Sequence, residues 1–196
     1  MQHTCFTKLN TLSQEQMDKI IAITFATFEQ RDHASENIVG WTQGLGTFYD
    51  DKKIPEESWC KLFTYNDDKQ YSSMHYTQDM QFISDLILPE VLKEYVATEN
   101  INAIYPNSEL IAHIDAHREC CLYLPIYPVK EKYMPMMFYY DNQEICIDNY
   151  DIGQVYLCNL KVTHSVNNST DLPRFNYQIT LNKPYEEICN ILALQN

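Results

Sequence analysis

The sequence predicts a mainly β protein with flanking helices, an α+β chain whose strands are organised as a jelly roll. Three observations carry that expectation. From Ile101 onward apolar residues alternate with polar ones at a period of two, as half-buried strands require. Short turn-forming clusters, Pro106-Asn107-Ser108, Asp141-Asn142 and Asp151-Ile152-Gly153, cut that region into pieces of strand length. Ahead of it the clearest apolar period is helical.

Residues 1–12 read as a short lead-in. Ser13 to about Gln30 reads as a helix, because Met17, Ile20, Ile21, Thr24, Phe25 and Phe28 recur at helical spacing and Ser13 with Gln16 fits a capping box. Residues 31–75 are irregular by pattern, with room for short strands and a lid or substrate loop. Gly40, Gly44 and Gly46 surround Trp41, but without a preceding strand they form no nucleotide fingerprint. Trp41, Phe48, Tyr49 and Trp59 read as packing residues. Thr77–Leu88 reads as a second helix, Pro89 ends it or opens the next turn, and Glu90–Val96 continues helically.

The predicted strands are Ile101–Tyr105, Glu109–Ile114, Cys120–Tyr127, Met136–Tyr140, Glu144–Asn149, Gln154–Asn159, His164–Val166 and Arg174–Leu181, followed by a short helix near Glu186–Leu192. Eight short strands preceded by helices indicate a double-stranded β-helix, the jelly roll of cupin-like proteins. The length of 196 residues suits one domain. Within it, residues 1–100 are expected to form a helical support region and 101–196 the jelly-roll core.

Composition narrows the function. Hydrophobic residues make up 45% and charged residues 21%, so the chain folds. A net charge of −13 opposes any unspecific grip on nucleic acid or on an anionic membrane. The seven cysteines are odd in number and lack a Cys-x-x-Cys pair, which argues against structural zinc and for reduced, mostly buried thiols. No basic leader and no apolar run of 18 residues is present, so the expectation is a soluble, cytoplasmic protein. The Asn-x-Ser/Thr matches at Asn167 and Asn168 are then not glycosylation sites. Asp148 to Gly153 faintly resembles a calcium loop, but Tyr150 and Ile152 stand where oxygen ligands belong.

The chemistry concentrates in Leu110-Ile111-Ala112-His113-Ile114-Asp115. A strand running through it would put Ile111, His113 and Asp115 on one face. An imidazole and a carboxylate so placed are two of the three ligands of a 2-His-1-carboxylate facial triad, which leaves metal positions open. The third candidate is His164, 49 residues after Asp115 (164 − 115), and ten residues beyond it (174 − 164) stands Arg174. His117 would join that face only if the strand ran on, and is expected outside the ligand set. Arg174, Asn176 and Gln178 share one face of their strand.

This ordered set resembles the Fe(II)/2-oxoglutarate-dependent oxygenases. It looks most like their short stand-alone members, the aspartyl/asparaginyl and prolyl hydroxylase-like proteins that phages often encode. The residues that carry the resemblance are His113-Ile114-Asp115-Ala116-His117-Arg118 leading to Leu124-Pro125-Ile126, and His164 to Asn168 leading to Arg174. It spans roughly residues 101–182. Many members place Ser two residues after the Arg, where this chain has Asn176. The resemblance implies a jelly roll with helices ahead of it. It implies Fe(II) on His113, Asp115 and His164, and 2-oxoglutarate held by Arg174, with Asn176 in place of the Ser. Oxidative decarboxylation to succinate and CO2 would be coupled to hydroxylation of a C–H bond.

A guanidinium fork suits a carboxylate bidentately, which lysine cannot match. Tyr123 and Asn159 are candidates for lining the cavity, Tyr123 on the cosubstrate side. Arg118 is a candidate for holding a substrate carboxylate or assisting 2-oxoglutarate, and equally for capping a turn through acidic neighbours. The expected substrate is a peptide, a protein or a free amino acid, not nucleic acid and not a membrane; the sequence does not indicate an oligomeric state. Two alternatives stay open: a cupin-like metalloprotein of another reaction class using Zn or Mn, and a non-enzymatic jelly-roll binding or structural module.

Overall fold

The computed structural model describes residues 4–33, 41–42, 47–48, 63–66, 69–75, 80–104, 108–127, 136–147, 153–169 and 174–194. Strand β1 is Phe6–Thr11, helix α1 Gln14–His33, and the pairs β2 (Trp41–Thr42) with β3 (Thr47–Phe48) and β4 (Phe63–Asn66) with β5 (Lys69–His75) follow. Helix α2 is Gln81–Ile87, and a 3-10 helix spans Glu90–Tyr95. The remaining strands are β6 (Val96–Ile104), β7 (Ser108–His113), β8 (Cys120–Tyr127), β9 (Met136–Tyr140), β10 (Gln143–Ile147), β11 (Gln154–Asn159), β12 (Thr163–Asn168) and β13 (Arg174–Leu181), closed by helix α3 (Tyr185–Ala193).

All eight expected strands form, and their pairing is that of a jelly roll. One sheet runs β1-β11-β8-β13-β6-β5-β4 and the other β10-β9-β12-β7, every pairing antiparallel. The chain alternates between the two sheets from β6 through β9 and again from β10 to β13. The N-terminal hundred residues contribute more than helices. β1 extends one edge of the larger sheet by pairing with β11, and β5 and β4 extend the other beyond β6. Residues 1–12, expected as a lead-in, thus contain an edge strand; Thr7 and Leu9 are half-buried between exposed Lys8 and Asn10, an alternation too brief to announce it.

Two cores follow from the period of two. In β8, Leu122, Leu124 and Ile126 join the helices on the outer face of the larger sheet, while Cys121 and Tyr123 point between the sheets. Adjacent Cys120 and Cys121 accordingly fall in different cores. On the helix side Met17, Ile20, Ile83 and Leu92 are fully buried against Tyr177, Ile179 and Leu181 of β13. A strand covered on both faces has little solvent-exposed surface, which is why β8 and β11 read as nearly continuous apolar runs, whereas β13 keeps a polar face of Arg174, Asn176 and Gln178 between the sheets.

Local signals explain the boundaries. Ser13 Oγ accepts from the Gln16 amide at 3.2 Å and Gln16 Oε1 accepts from the Ser13 amide at 2.8 Å, the reciprocal capping box. α2 stops because Leu88 precedes a proline and is extended at φ −90°, ψ 109°. Pro89 then caps a 3-10 turn, so the expected helical continuation is a tighter helix that ends at Tyr95, and Val96 already opens β6. Asp141 and Asn142, at φ 50° and 58°, make the two-residue hairpin turn between β9 and β10. The turn at 106–107, the loop at 148–152, and Tyr49 and Trp59 lie outside the described residues. Among the described residues no helix is long and apolar enough to cross a membrane.

Candidate metal centre

The site forms where β7 and β12 run side by side in the smaller sheet. His113 and His164 are directly paired across the strands. The register slips there: His164 opposes His113, but Val166 opposes Leu110, so β7 carries one extra residue. That β-bulge overturns the expectation that Ile111 shares the face of His113. Leu110, 5% exposed, and His113 both turn inward, while Ile111 is 39% exposed. β7 ends at His113, and Asp115 enters from the turn that follows, its amide held by the Leu160 carbonyl at 3.2 Å.

His113, Asp115 and His164 bring one ligand atom each within 4.8 Å of one another. His113 Nε2 lies 3.8 Å from Asp115 Oδ1, and His164 Nε2 lies 3.8 Å from Asp115 Oδ2. The other ring nitrogens are committed to backbone carbonyls, His113 Nδ1 to Ile111 at 2.7 Å and His164 Nδ1 to Val162 at 2.9 Å. A carbonyl only accepts, so each Nδ1 donates to it, and Nε2 is the nitrogen that each ring turns toward the carboxylate. Burial lowers the His164 pKa to about 4 against the opposing pull of Asp115, which keeps that imidazole neutral. Two imidazole nitrogens and one carboxylate oxygen so placed are a donor set that can hold a divalent metal.

The two histidines of the triad line a pocket between the sheets. Its polar wall is Tyr123, Asn176, Gln178 and Arg118; Ile104 and Met136 belong to the apolar one. Arg174, 2% exposed, donates from Nη2 to the Tyr123 hydroxyl at 2.7 Å and from Nη1 to the Asn167 carbonyl at 3.2 Å. Asn176 Oδ1 accepts from Asn102 at 3.0 Å, and Asn102 in turn accepts from Asn100 at 2.6 Å, a row of buried amides behind the wall.

Arg118 is buried at 7% exposure, with Nη2 on Asp115 Oδ2 at 2.6 Å and Nη1 on Gln178 Oε1 at 2.7 Å. Of the roles expected for it, bonding an acidic neighbour across the turn is the one seen. Asn159 does not line the cavity: its side chain donates to the Thr4 carbonyl at 3.1 Å and accepts from the Lys161 amide at 3.1 Å. The expectation failed because Asn159 is the last residue of β11, where an amide closes the turn. His117 is exposed, since the strand stops four residues before it.

Two participants escaped sequence reasoning. Lys161 Nζ holds the Asp115 and Ala116 carbonyls, each at 3.2 Å, and Glu119 at 3.2 Å, and so pins the turn that carries Asp115. Gln178 shared a strand face with Arg174, but its bond to Arg118 spans 60 residues and leaves no local signature.

No protein-family model matches the sequence, and no curated protein matches it. Solved structures do. A prolyl hydroxylase from Trichoplax adhaerens, in complex with a peptide fragment of the hypoxia inducible factor oxygen degradation domain, aligns with a TM-score of 0.60 at 9% identity over 93% of this chain and 86% of that one. The non-heme alpha ketoglutarate dependent carbocyclase SnoK from nogalamycin biosynthesis aligns at 0.53 with 13% identity, covering 89% of this chain and 78% of SnoK. An oxidoreductase of the 2OG-Fe(II) oxygenase family from Burkholderia pseudomallei aligns at 0.50 with 10% identity, over 92% and 86% of the two chains. At these identities the likeness is one of fold: the chain has the jelly roll seen in 2-oxoglutarate/Fe(II) oxygenases. That fold and the His-Asp-His triad fit Fe(II) and 2-oxoglutarate.

Proposed function

We propose that the protein is an Fe(II)- and 2-oxoglutarate-dependent dioxygenase that hydroxylates an amino-acid side chain, free or within a peptide or protein, with release of succinate and CO2. One observation carries the reading. The two histidines of a two-histidine, one-carboxylate triad line the same pocket as Tyr123, the partner of a buried arginine. A cupin-like metal site of another class has no need of that arginine.

In this reading His113, Asp115 and His164 hold the metal by one face and leave the other for ligands. Arg174 receives the distal carboxylate of 2-oxoglutarate, with Tyr123 orienting its guanidinium and Asn176 as a further donor. Burial of these donors strengthens each contact to an anion. Bound there, Fe(II) and 2-oxoglutarate supply the oxidising chemistry, one oxygen atom of O2 passing to the substrate C–H bond and the other to succinate. Ile104, Leu110, Met136 and Val166 supply the apolar part of the pocket lining.

The amino-acid substrate class is supported by the peptide complex of the Trichoplax neighbour and by the charge of −13, which repels polyanions. The test has two parts. Anaerobic addition of Fe(II) and then 2-oxoglutarate is expected to raise a weak visible charge-transfer band. Succinate release is then measured with free amino acids, proteins and oligonucleotides offered separately. Stimulation by oligonucleotides alone would overturn the substrate class, and no band would overturn the cofactors.

A further inference from the structure

The polar wall of the cavity contains a relay that the ligand set does not require. Arg118 joins the Asp115 carboxylate to the Gln178 side chain on β13, with bonds of 2.6 and 2.7 Å. A guanidinium has donors and no acceptor, so Gln178 must meet it with Oε1. The amide orientation is therefore fixed by chemistry, and the Gln178 NH2 group is left facing away from Arg118, where the side chain lines the cavity. Arg118 also occupies Oδ2 of Asp115, while Oδ1 lies 3.8 Å from His113 Nε2. We propose, resting on the metal reading above, that Arg118 is a positioning residue. It restricts Asp115 to one-oxygen ligation and aims the Gln178 amide so that Gln178 donates to the keto-acid end of 2-oxoglutarate.

The strand geometry supports the pairing of ends. Arg174, Asn176 and Gln178 alternate along one face of β13, and a strand advances roughly 3.4 Å per residue, so the row spans roughly 14 Å. Gln178 is the member tied through Arg118 to Asp115, so it stands at the metal end; Arg174 stands at the other. Asn176 Oδ1 is likewise engaged, by Asn102. The wall thus presents donors along its length, which matches a ligand with acceptor oxygens at both ends. A carboxylate free to chelate through both oxygens would occupy one of the metal positions that the cosubstrate needs. Arg118 prevents this while its charge remains compensated by Asp115 within the buried pair.

The test uses Co(II) as the metal and wild type, His164→Ala, Arg118→Met and Gln178→Leu proteins. Each is titrated with Co(II), followed by its visible ligand-field spectrum, and then with 2-oxoglutarate. Arg118→Met is expected to weaken Co(II) binding by about 10- to 100-fold, as loss of a partner to a metal ligand does, and to change the Co(II) spectrum. Gln178→Leu is expected to leave Co(II) affinity and spectrum as in wild type and to weaken 2-oxoglutarate about tenfold. If Arg118→Met destabilises the protein beyond use, Arg118→Lys, which keeps the charge without the fork, is expected to shift the spectrum in the same direction. Wild-type Co(II) affinity and spectrum in the Arg118 variant, or wild-type 2-oxoglutarate affinity in Gln178→Leu, would overturn the proposal. Failure of the wild type to bind Co(II), or undiminished binding by His164→Ala, would instead overturn the metal reading on which it rests.

Discussion

Replacing Arg174 by Ala removes a guanidinium that is 2% exposed and held by Tyr123 and the Asn167 carbonyl. Two effects separate. A hydrogen bond between a charged group and its partner is worth about 1.5–3 kcal/mol, and each 1.4 kcal/mol is tenfold, so the KM for 2-oxoglutarate is expected to rise roughly 10- to 150-fold. The KM for the substrate should move far less. Removing the guanidinium also leaves the Tyr123 hydroxyl and the Asn167 carbonyl without that donor, which costs about 1–3 kcal/mol of stability. For a chain of this size, that lowers Tm by roughly 2–12 °C. Arg174→Lys keeps the charge but not the planar fork and should recover only part of the affinity. The assay is calorimetric titration of 2-oxoglutarate into metal-loaded protein, with succinate formation in parallel. Unchanged affinity in Arg174→Ala would refute the assignment. A loss of 2-oxoglutarate affinity in Arg118→Ala, with metal affinity intact and Arg174→Ala unaffected, would reverse the two arginines.

The remaining predictions concern the metal, the pH response and two local features. One Fe(II) per chain is expected, lost in His113→Ala and in His164→Ala, and metal analysis with unchanged stoichiometry in both would contradict the triad. Because His164 titrates near 4 when folded against 6.5 in the unfolded chain, the unfolded state binds the proton first as pH falls. The metal-free protein should therefore lose up to about 3 kcal/mol between pH 6.5 and 4 and show no such loss from this group above 6.5. Denaturant midpoints across that range, compared with His164→Ala, measure it; equal slopes would be the contrary result. Ser13→Ala breaks the capping box and should cost about 0.5–2 kcal/mol in thermal unfolding. Gly153 has φ +75°, and a Cβ there would lie 2.6 Å from the Leu12 carbonyl oxygen, so Gly153→Ala should destabilise by more than about 1 kcal/mol; a neutral melt would show that this backbone contact yields easily.

Much of this protein was legible without a structure, and the reasons are physical. Alternating apolar residues specify a strand wherever one face is buried, so all eight jelly-roll strands were visible from Ile101 to Leu181, with ends displaced by a few residues in β6, β10 and β12. The capping box at Ser13 and the Asp141-Asn142 turn are local interactions, and local chemistry is written in adjacent residues. His113, Asp115 and His164 were identifiable because ligand chemistry restricts the residue types. Tertiary structure decided the rest. The bulge in β7 arises from its register against β12, and it alone turns Leu110 and His113 inward and Ile111 out. β1 becomes a strand only because β11 offers it an edge, with register partners 143 to 152 residues away (154 − 11 and 158 − 6), a pairing no local window contains. Asn159, polar and near the site in sequence, serves a turn, while Lys161 and Gln178 reach the Asp115 turn and Arg118 across 46 and 60 residues. A side chain's partner across such a distance is set by how the two sheets stack, and the sequence around either residue carries no trace of it.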